Sequence, residues 1–202
     1  MNTNALFNLS YGLFVLIAND YGKDNGCIIN TVMQVTDTPL RISFTVNKSN
    51  LTHDFVMNTK TFNISVISES ATFDLFKHFG FQSGRQMHKF EDFSDYKTSE
   101  NGLPYITKGS NAYISGKVID TLDLGTHTMF IADISDCEII DDAPSATYAY
   151  YHKNIKPQPQ KAEKTCFICK ICGYKYEGDE LPEDYICPLC KHGAADFEKV
   201  IV

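Results

Sequence analysis

The residues best suited to chemistry lie at the C-terminal end, where Cys169 and Cys172 form one Cys-x-x-Cys pair and Cys187 and Cys190 a second, 14 residues further on. Two such pairs bring four thiolates to one tetrahedral ion, because each pair turns tightly enough for both sulfurs to face the same point. A four-sulfur tetrahedron holds zinc or iron equally well, so the spacing leaves the metal open. Five of the seven cysteines fall in the last 37 residues. The stretch Leu13 to Ala18 is too short for a secretion signal and lacks a basic flank, so the bunching favours metal ligation over disulfides. A tail of about 37 residues is also too small to fold on an apolar core and needs a metal. Cys166 makes a rival pair with Cys169, but only Cys172 is followed by a glycine, Gly173, that lets backbone N–H groups turn toward the sulfurs. Cys166 is expected to be a spectator, and Cys27 and Cys137 buried small hydrophobes.

A second group of polar residues lies far upstream. Asn30-Thr-Val-Met-Gln-Val-Thr36 closes an expected strand with side-chain donors at Asn30, Thr31, Gln34 and Thr36. Lys48, Asn50 and Thr52 then lead into an expected helix, where free N–H groups and the helix dipole favour an anion. No Gly-x-Gly-x-x-Gly occurs, which argues against a Rossmann site but not against a flavin mononucleotide with its single phosphate. By spacing alone, turn and cap roles explain these residues equally well.

The elements that must position them are mostly strands. Leu40, Ile42, Phe44 and Val46 alternate with Arg41, Ser43, Thr45 and Asn47, the mark of a half-buried antiparallel strand. Phe62 to Val66 does the same, and Phe14–Asn19, Ile28–Gln34, Ala112–Ile119 and Thr128–Asp136 are further strands. Turns are expected at Asp24-Asn25-Gly26 and Asp123-Leu124-Gly125. Short helices are expected over Leu51–Met57 behind Asn50 and Ala71–Phe79 behind Ser70. The fold class is therefore mainly β, a barrel with helical insertions plus a small metal-stabilised module.

The 202-residue chain is 43% hydrophobic and 21% charged, which excludes a disordered chain. Its formal net charge of −7 argues against a nucleic-acid partner, and no run is long enough to span a membrane. A cytoplasmic protein is expected. Residues 1–151 carry ten Lys and Arg against 17 Asp and Glu, whereas 152–165 hold two prolines and little to bury. The expected domains are 1–150 and 166–202, joined by an exposed linker over 151–165.

Two resemblances add to this reading. Cys-x-x-Cys-Gly-Tyr-x-Tyr at Cys169 to Tyr176, Leu-Pro-Glu-Asp-Tyr at Leu181 to Tyr185, Cys-Pro-x-Cys at Cys187 to Cys190 and Asp-Phe-Glu at Asp196 to Glu198 resemble rubredoxin. That resemblance implies one iron held by Cys169, Cys172, Cys187 and Cys190. The chain departs from the pattern at Lys191, where glycine is common, at Tyr185, where tryptophan is usual, and in a shorter loop between the pairs. Tyr11-Gly-Leu-Phe-Val15, Asn30 to Thr36, Lys48 to Thr52, Phe81-Gln-Ser-Gly-Arg85 and Gly125-Thr-His127 together resemble the flavin reductase-like, split-barrel FMN-binding domain. It implies a homodimer with FMN near the subunit interface. Asn30, Thr31, Gln34, Val35 and Thr36 would run along the ring, and Lys48, Asn50 and Thr52 would face the phosphate. Ser83 and Arg85 would help hold the flavin or a nicotinamide, and His127 would be the catalytic candidate beside ring and nicotinamide.

The whole chain is similar to the high-molecular-weight rubredoxins. This implies an NAD(P)H-dependent oxidoreductase that passes electrons through FMN to iron and on to a partner such as a flavodiiron oxygen or nitric oxide reductase. Two alternatives stand beside it. One is a reductase that releases free reduced FMN, and the other a non-catalytic zinc-ribbon or FMN-binding module.

Overall fold

The computed structural model describes residues 1–158, 165–178 and 180–201. It divides into two compact units, Met1–Pro157 and Gln158–Val202.

The first unit is built on a seven-stranded antiparallel sheet. Its strands are β1 (Phe14–Asp20), β2 (Lys23–Ile29), β3 (Met33–Asp37), β4 (Leu40–Asn47), β5 (Thr61–Ile67), β8 (Ser110–Asp123) and β9 (His127–Ile139), while β6 (Tyr96–Thr98) and β7 (Pro104–Ile106) form a separate pair. The order across the sheet is β2-β1-β5-β8-β9-β4-β3. Cys27 and Ile29 of β2 nevertheless share one core with Ile42, Phe44 and Val46 of β4, five places away in that order. Strands so distant meet only if the sheet rolls up on itself, which is the expected barrel. Thr31 closes the seam beyond β2, its Oγ1 donating to Thr45 O at 2.9 Å and accepting from Thr45 N–H at 3.1 Å.

β1 is buried on both faces. Leu16 and Ala18 point into the barrel core around Phe44, Phe62 and Phe130, whereas Val15 and Ile17 join a second core with Phe76 and Phe79 of α2 (Phe73–Gly80). The Phe44 ring lies 4.8 Å from Phe62 and 5.1 Å from Phe130, and all three are fully buried. Each such ring contributes roughly 2–3 kcal/mol of transfer free energy.

Helix α1 (Leu51–Thr59) starts because Asn47 Oδ1 accepts from the N–H and hydroxyl of Ser49, turning the chain into the helix. It stops at Lys60, whose left-handed backbone (φ 62°) sends its N–H to Val56 O.

Four expectations are corrected, the first being Cys137, which is exposed because it lies on the solvent-facing last residues of β9. The strand expected over Ile28–Gln34 is two strands, β2 and β3, broken at residues 30–32. The turn expected at Asp24-Asn25-Gly26 lies inside β2, where Asn25 pairs with Ala18. The chain turns instead at Tyr21 and Gly22, both left-handed (φ 51° and 75°), which matches the twist of a two-residue hairpin. The linker expected from residue 151 begins later, because Tyr148–Tyr150 continues into a wider helical turn, Tyr151–Ile155, whose Tyr151 is buried with its ring 4.4 Å from Phe76. Of the expected linker, residues 159–164 lie outside the described residues.

The second unit is a three-stranded sheet in the order β11 (Lys175–Glu177), β10 (Thr165–Cys169), β12 (Phe197–Ile201). Its small core holds Cys169, Cys187 and Phe197 with Phe167, Tyr174, Tyr176 and Tyr185 packed against them.

Candidate flavin cavity and four-cysteine metal centre

In the second unit the sulfurs of Cys169, Cys172, Cys187 and Cys190 all lie within 4.8 Å of one another. Cys169 and Cys190 are 3.5 Å apart, as are Cys172 and Cys187. With metal–thiolate bonds of about 2.3 Å a tetrahedron has edges of about 3.8 Å, so the cage fits one ion. Each hairpin is closed by a matching backbone bond, from Gly173 N–H to Cys169 O at 2.8 Å and from Lys191 N–H to Cys187 O at 3.0 Å. The amides thereby turned inward donate to sulfur: Tyr174 to Cys172, Leu189 and Cys190 to Cys187, and His192 to Cys190. Burial alone raises the Cys187 thiol, but those two donors and the neighbouring cysteines outweigh it and bring its pKa down to about 6. This readies it as a thiolate ligand. Cys166 is buried in β10, opposite Glu177 and Val200, and is not part of the cluster.

In the first unit the head of α1 opens onto a cavity of about 320 Å³. Asn50 and Thr52 line one wall, Gln82, Ser83 and Gly84 another, and Asn25, Cys27 and Lys89 lie in the lining between β2 and α2. Thr52 is buried by Asn25, whose Nδ2 donates to Thr52 Oγ1 at 2.8 Å. Asn25 Oδ1 is buried without a partner, and a Cβ on Gly84 would stand 2.1 Å from it, so only glycine fits there. Lys89 is 2% exposed, and its ammonium donates to Gly26 O at 2.8 Å and Phe79 O at 2.9 Å. Burial lowers its pKa, while the carbonyl at the end of α2 is where a cation is favoured. Burial pushes the Cys27 thiol up, against hydrogen bonds from Thr52 and Asn50, so it is inert packing at the cavity wall. A polar cavity headed by a helix N-terminus suits a phosphorylated ligand.

The structure brings Asn50, Thr52 and Ser83 together in this lining and leaves other expected site residues outside it. Lys48 is tied to Asp123 at 2.6 Å and Arg85 to Asp54 at 2.7 Å. Gln34, Val35 and Thr36 lie on β3, whose five residues are all exposed, and Asn30 and Thr31 lead into it. His127 opens β9 opposite Asn47, with Nδ1 2.9 Å from Thr126 Oγ1. Sequence reasoning missed Asn25 and Lys89. Asn25 was hidden by its turn-like neighbours, and a lone lysine offers no sign that two carbonyls will surround it.

Residues 6–158 match the model of the flavin reductase like domain, about three quarters of the chain. The chain belongs to the flavin reductase-like family. Residues 167–198 match the rubrerythrin, rubredoxin-like domain. The chain is 36% identical to "High molecular weight rubredoxin" of Moorella thermoacetica over 230 residues, 99% of this chain and 100% of that one. It is 37% identical to "Ferric-chelate reductase (NAD(P)H)" of Archaeoglobus fulgidus, over 84% of this chain and 100% of the relative. Among solved structures, the NADH:FAD oxidoreductase SgcE6 of Streptomyces globisporus superposes with a TM-score of 0.65 at 18% identity, covering 79% of this chain and 92% of that one. Flavin reductase HpaC gives 0.61 at 23% identity, covering 72% and 89%. Such distant structures establish the shared fold. This flavin reductase-like oxidoreductase thus joins a flavin-binding domain to a rubredoxin-like domain whose four cysteines suit one iron. No helix among the described residues is long and apolar enough to cross a membrane.

Proposed function

We propose that the protein passes electrons from NAD(P)H through FMN to its iron and on to a partner protein such as a flavodiiron oxygen or nitric oxide reductase. The observation that carries this reading is the presence in one chain of a helix-headed polar cavity and a closed four-sulfur cage. Bound flavin takes two electrons from a nicotinamide and passes them on one at a time, and bound iron takes up one at a time. The chain's own part is to hold and shield these groups. The amides at the head of α1, with Asn50 and Ser83, hold the single phosphate of a mononucleotide, while the buried Thr52 sits behind them against Asn25. Lys48 and Arg85 add to this only by exchanging Asp123 and Asp54 for phosphate oxygens. The exposed run Asn30 to Thr36 supports the ring, and His127 orients the nicotinamide. A second copy covers that run: Met33 and Val35 on β3, and Leu40, Ile119, Leu122 and Leu124 nearby in sequence or along β8, are exposed apolar residues that a homodimer would bury. All seven cysteines are free, as suits the reducing cytoplasm.

Anaerobic NADH added to the iron- and FMN-loaded protein tests the relay. Flavin and ferric absorbance are expected to bleach together. Iron that stays ferric beside fully reduced flavin overturns the reading, and a flavin that leaves the protein once reduced favours a reductase that supplies free flavin.

A further inference from the structure

Three non-glycine residues among those described adopt a left-handed backbone: Tyr21 in the β1–β2 turn, Lys60 at the end of α1, and Lys191 (φ 62°). Lys191 leaves the second cysteine hairpin at the place that Gly173 (φ 75°) holds after the first, and both make the same N–H bond to a cysteine carbonyl. Glycine takes up this geometry freely, whereas a side chain there is strained. Strain of that kind persists where something else holds it in place. Lys170, directly after Cys169, is a second exposed lysine adjoining a ligand. Among the described residues neither ammonium has a carboxylate within ion-pair distance. In the first unit Arg41, Lys48, Arg85 and Lys108 have one, and among the described residues the other lysines there do not, so what marks Lys191 and Lys170 is their place next to a cage ligand. Residues 166–202 carry seven acids against four lysines. An acidic module therefore keeps two unneutralised cations beside its sulfur cage, one of them on a strained backbone.

We propose that Lys191, aided by Lys170, raises the reduction potential of the iron by stabilising its reduced state. Ferric iron with four thiolates carries a net charge of −1, and taking up one electron makes it −2, with no bond broken and no proton moved. A nearby fixed cation lowers the energy of the doubly negative state more than that of the singly negative one. Both lysines thus favour arrival of the electron at iron. Solvent and salt screen the effect, so it is largest at low ionic strength. The proposal rests on the iron reading of the cage and not on the flavin relay.

The test is a redox titration of the full-length, iron-loaded protein with mediator dyes, read by ferric absorbance without nicotinamide. The potential is expected to fall from wild type to Lys191→Gln and again to Lys191→Glu. Lys170→Gln, which leaves the backbone unstrained, is expected to lower it too, and high salt to narrow every gap. Lys191→Gly separates charge from strain: its potential falls as far as that of Lys191→Gln, while iron passes to a chelator more slowly. Potentials of Lys191→Gln and Lys191→Glu equal to wild type overturn the proposal. So does a fall in Lys191→Gly alone, which would assign the effect to the backbone, or a cage that accepts only zinc. If the relay itself fails, NADH leaves the iron ferric while the mediator potentials still follow the lysine series.

Discussion

Cys187 is fully buried and supplies one of the four sulfurs of the cage. Cys187→Ser is expected to leave the protein with less than a tenth of its iron by metal analysis while the flavin stays bound, because the two groups occupy separate units. In the first unit, Gly84→Ala would press a methyl against Asn25 Oδ1 and push the 82–85 wall away from β2. Fluorescence titration should show flavin binding weakened roughly tenfold, the scale of a 1–2 kcal/mol overpacking penalty. The two sites differ in how legible they were. Four cysteines at hairpin spacing carry their geometry in the sequence itself, since each pair needs only its own turn. The cavity brings residues around 25, 50, 84 and 89 into one wall, and their meeting depends on strand order and on a buried lysine that no local pattern announces. Lys48 and Arg85 were readable as cations, but not as cations already held by Asp123 and Asp54.

Among elements, alternation marked β4 and β5 well, because in each an apolar face meets the core and a polar face lies opposite, whereas β1, buried on both faces, is a continuous apolar run. Reading failed at residues 28–34, where the β-prone residues Thr31 and Val32 fall in a break between two strands. The Tyr21–Gly22 turn was masked by the stronger turn signal of Asp-Asn-Gly, which the buried Asn25–Thr52 bond overrides. The loop that carries Gly84 is tied to α1 by Arg85 and Asp54 and to β2 by Lys23, whose ammonium donates to Gly84 O at 2.8 Å. Burial by itself would raise the Asp54 carboxyl, but Arg85 and His53 outweigh it and hold it below its ordinary value. A carboxyl lowered on folding adds stability above its unfolded pKa of about 3.9 and loses it as pH falls through the folded value. Asp54→Asn is therefore expected to destabilise the protein at pH 7 by less than about 1 kcal/mol, since both partners are roughly half exposed. Urea unfolding should show that difference shrinking below about pH 4.

At the scale of the whole molecule, Met33 and Val35 of β3 and Ile119 and Leu122 of β8 are large apolar residues left exposed. If they join two copies, Val35→Asp should shift the sedimentation coefficient toward a monomer and weaken flavin binding in the same preparation, because the ring support proposed for Asn30 to Thr36 includes the same strand. A monomeric wild type in dilute solution would refute that assembly. How such copies may meet is limited by the register of β3: the pairing with β4 slips between Gln34 and Thr36, leaving Val35 as an extra residue in the outermost strand. A strand bent by such an insertion cannot offer an incoming backbone an unbroken ladder of amides and carbonyls. Recognition along this rim must therefore come from side chains interlocking, which admits a matched surface and turns away a stray extended peptide.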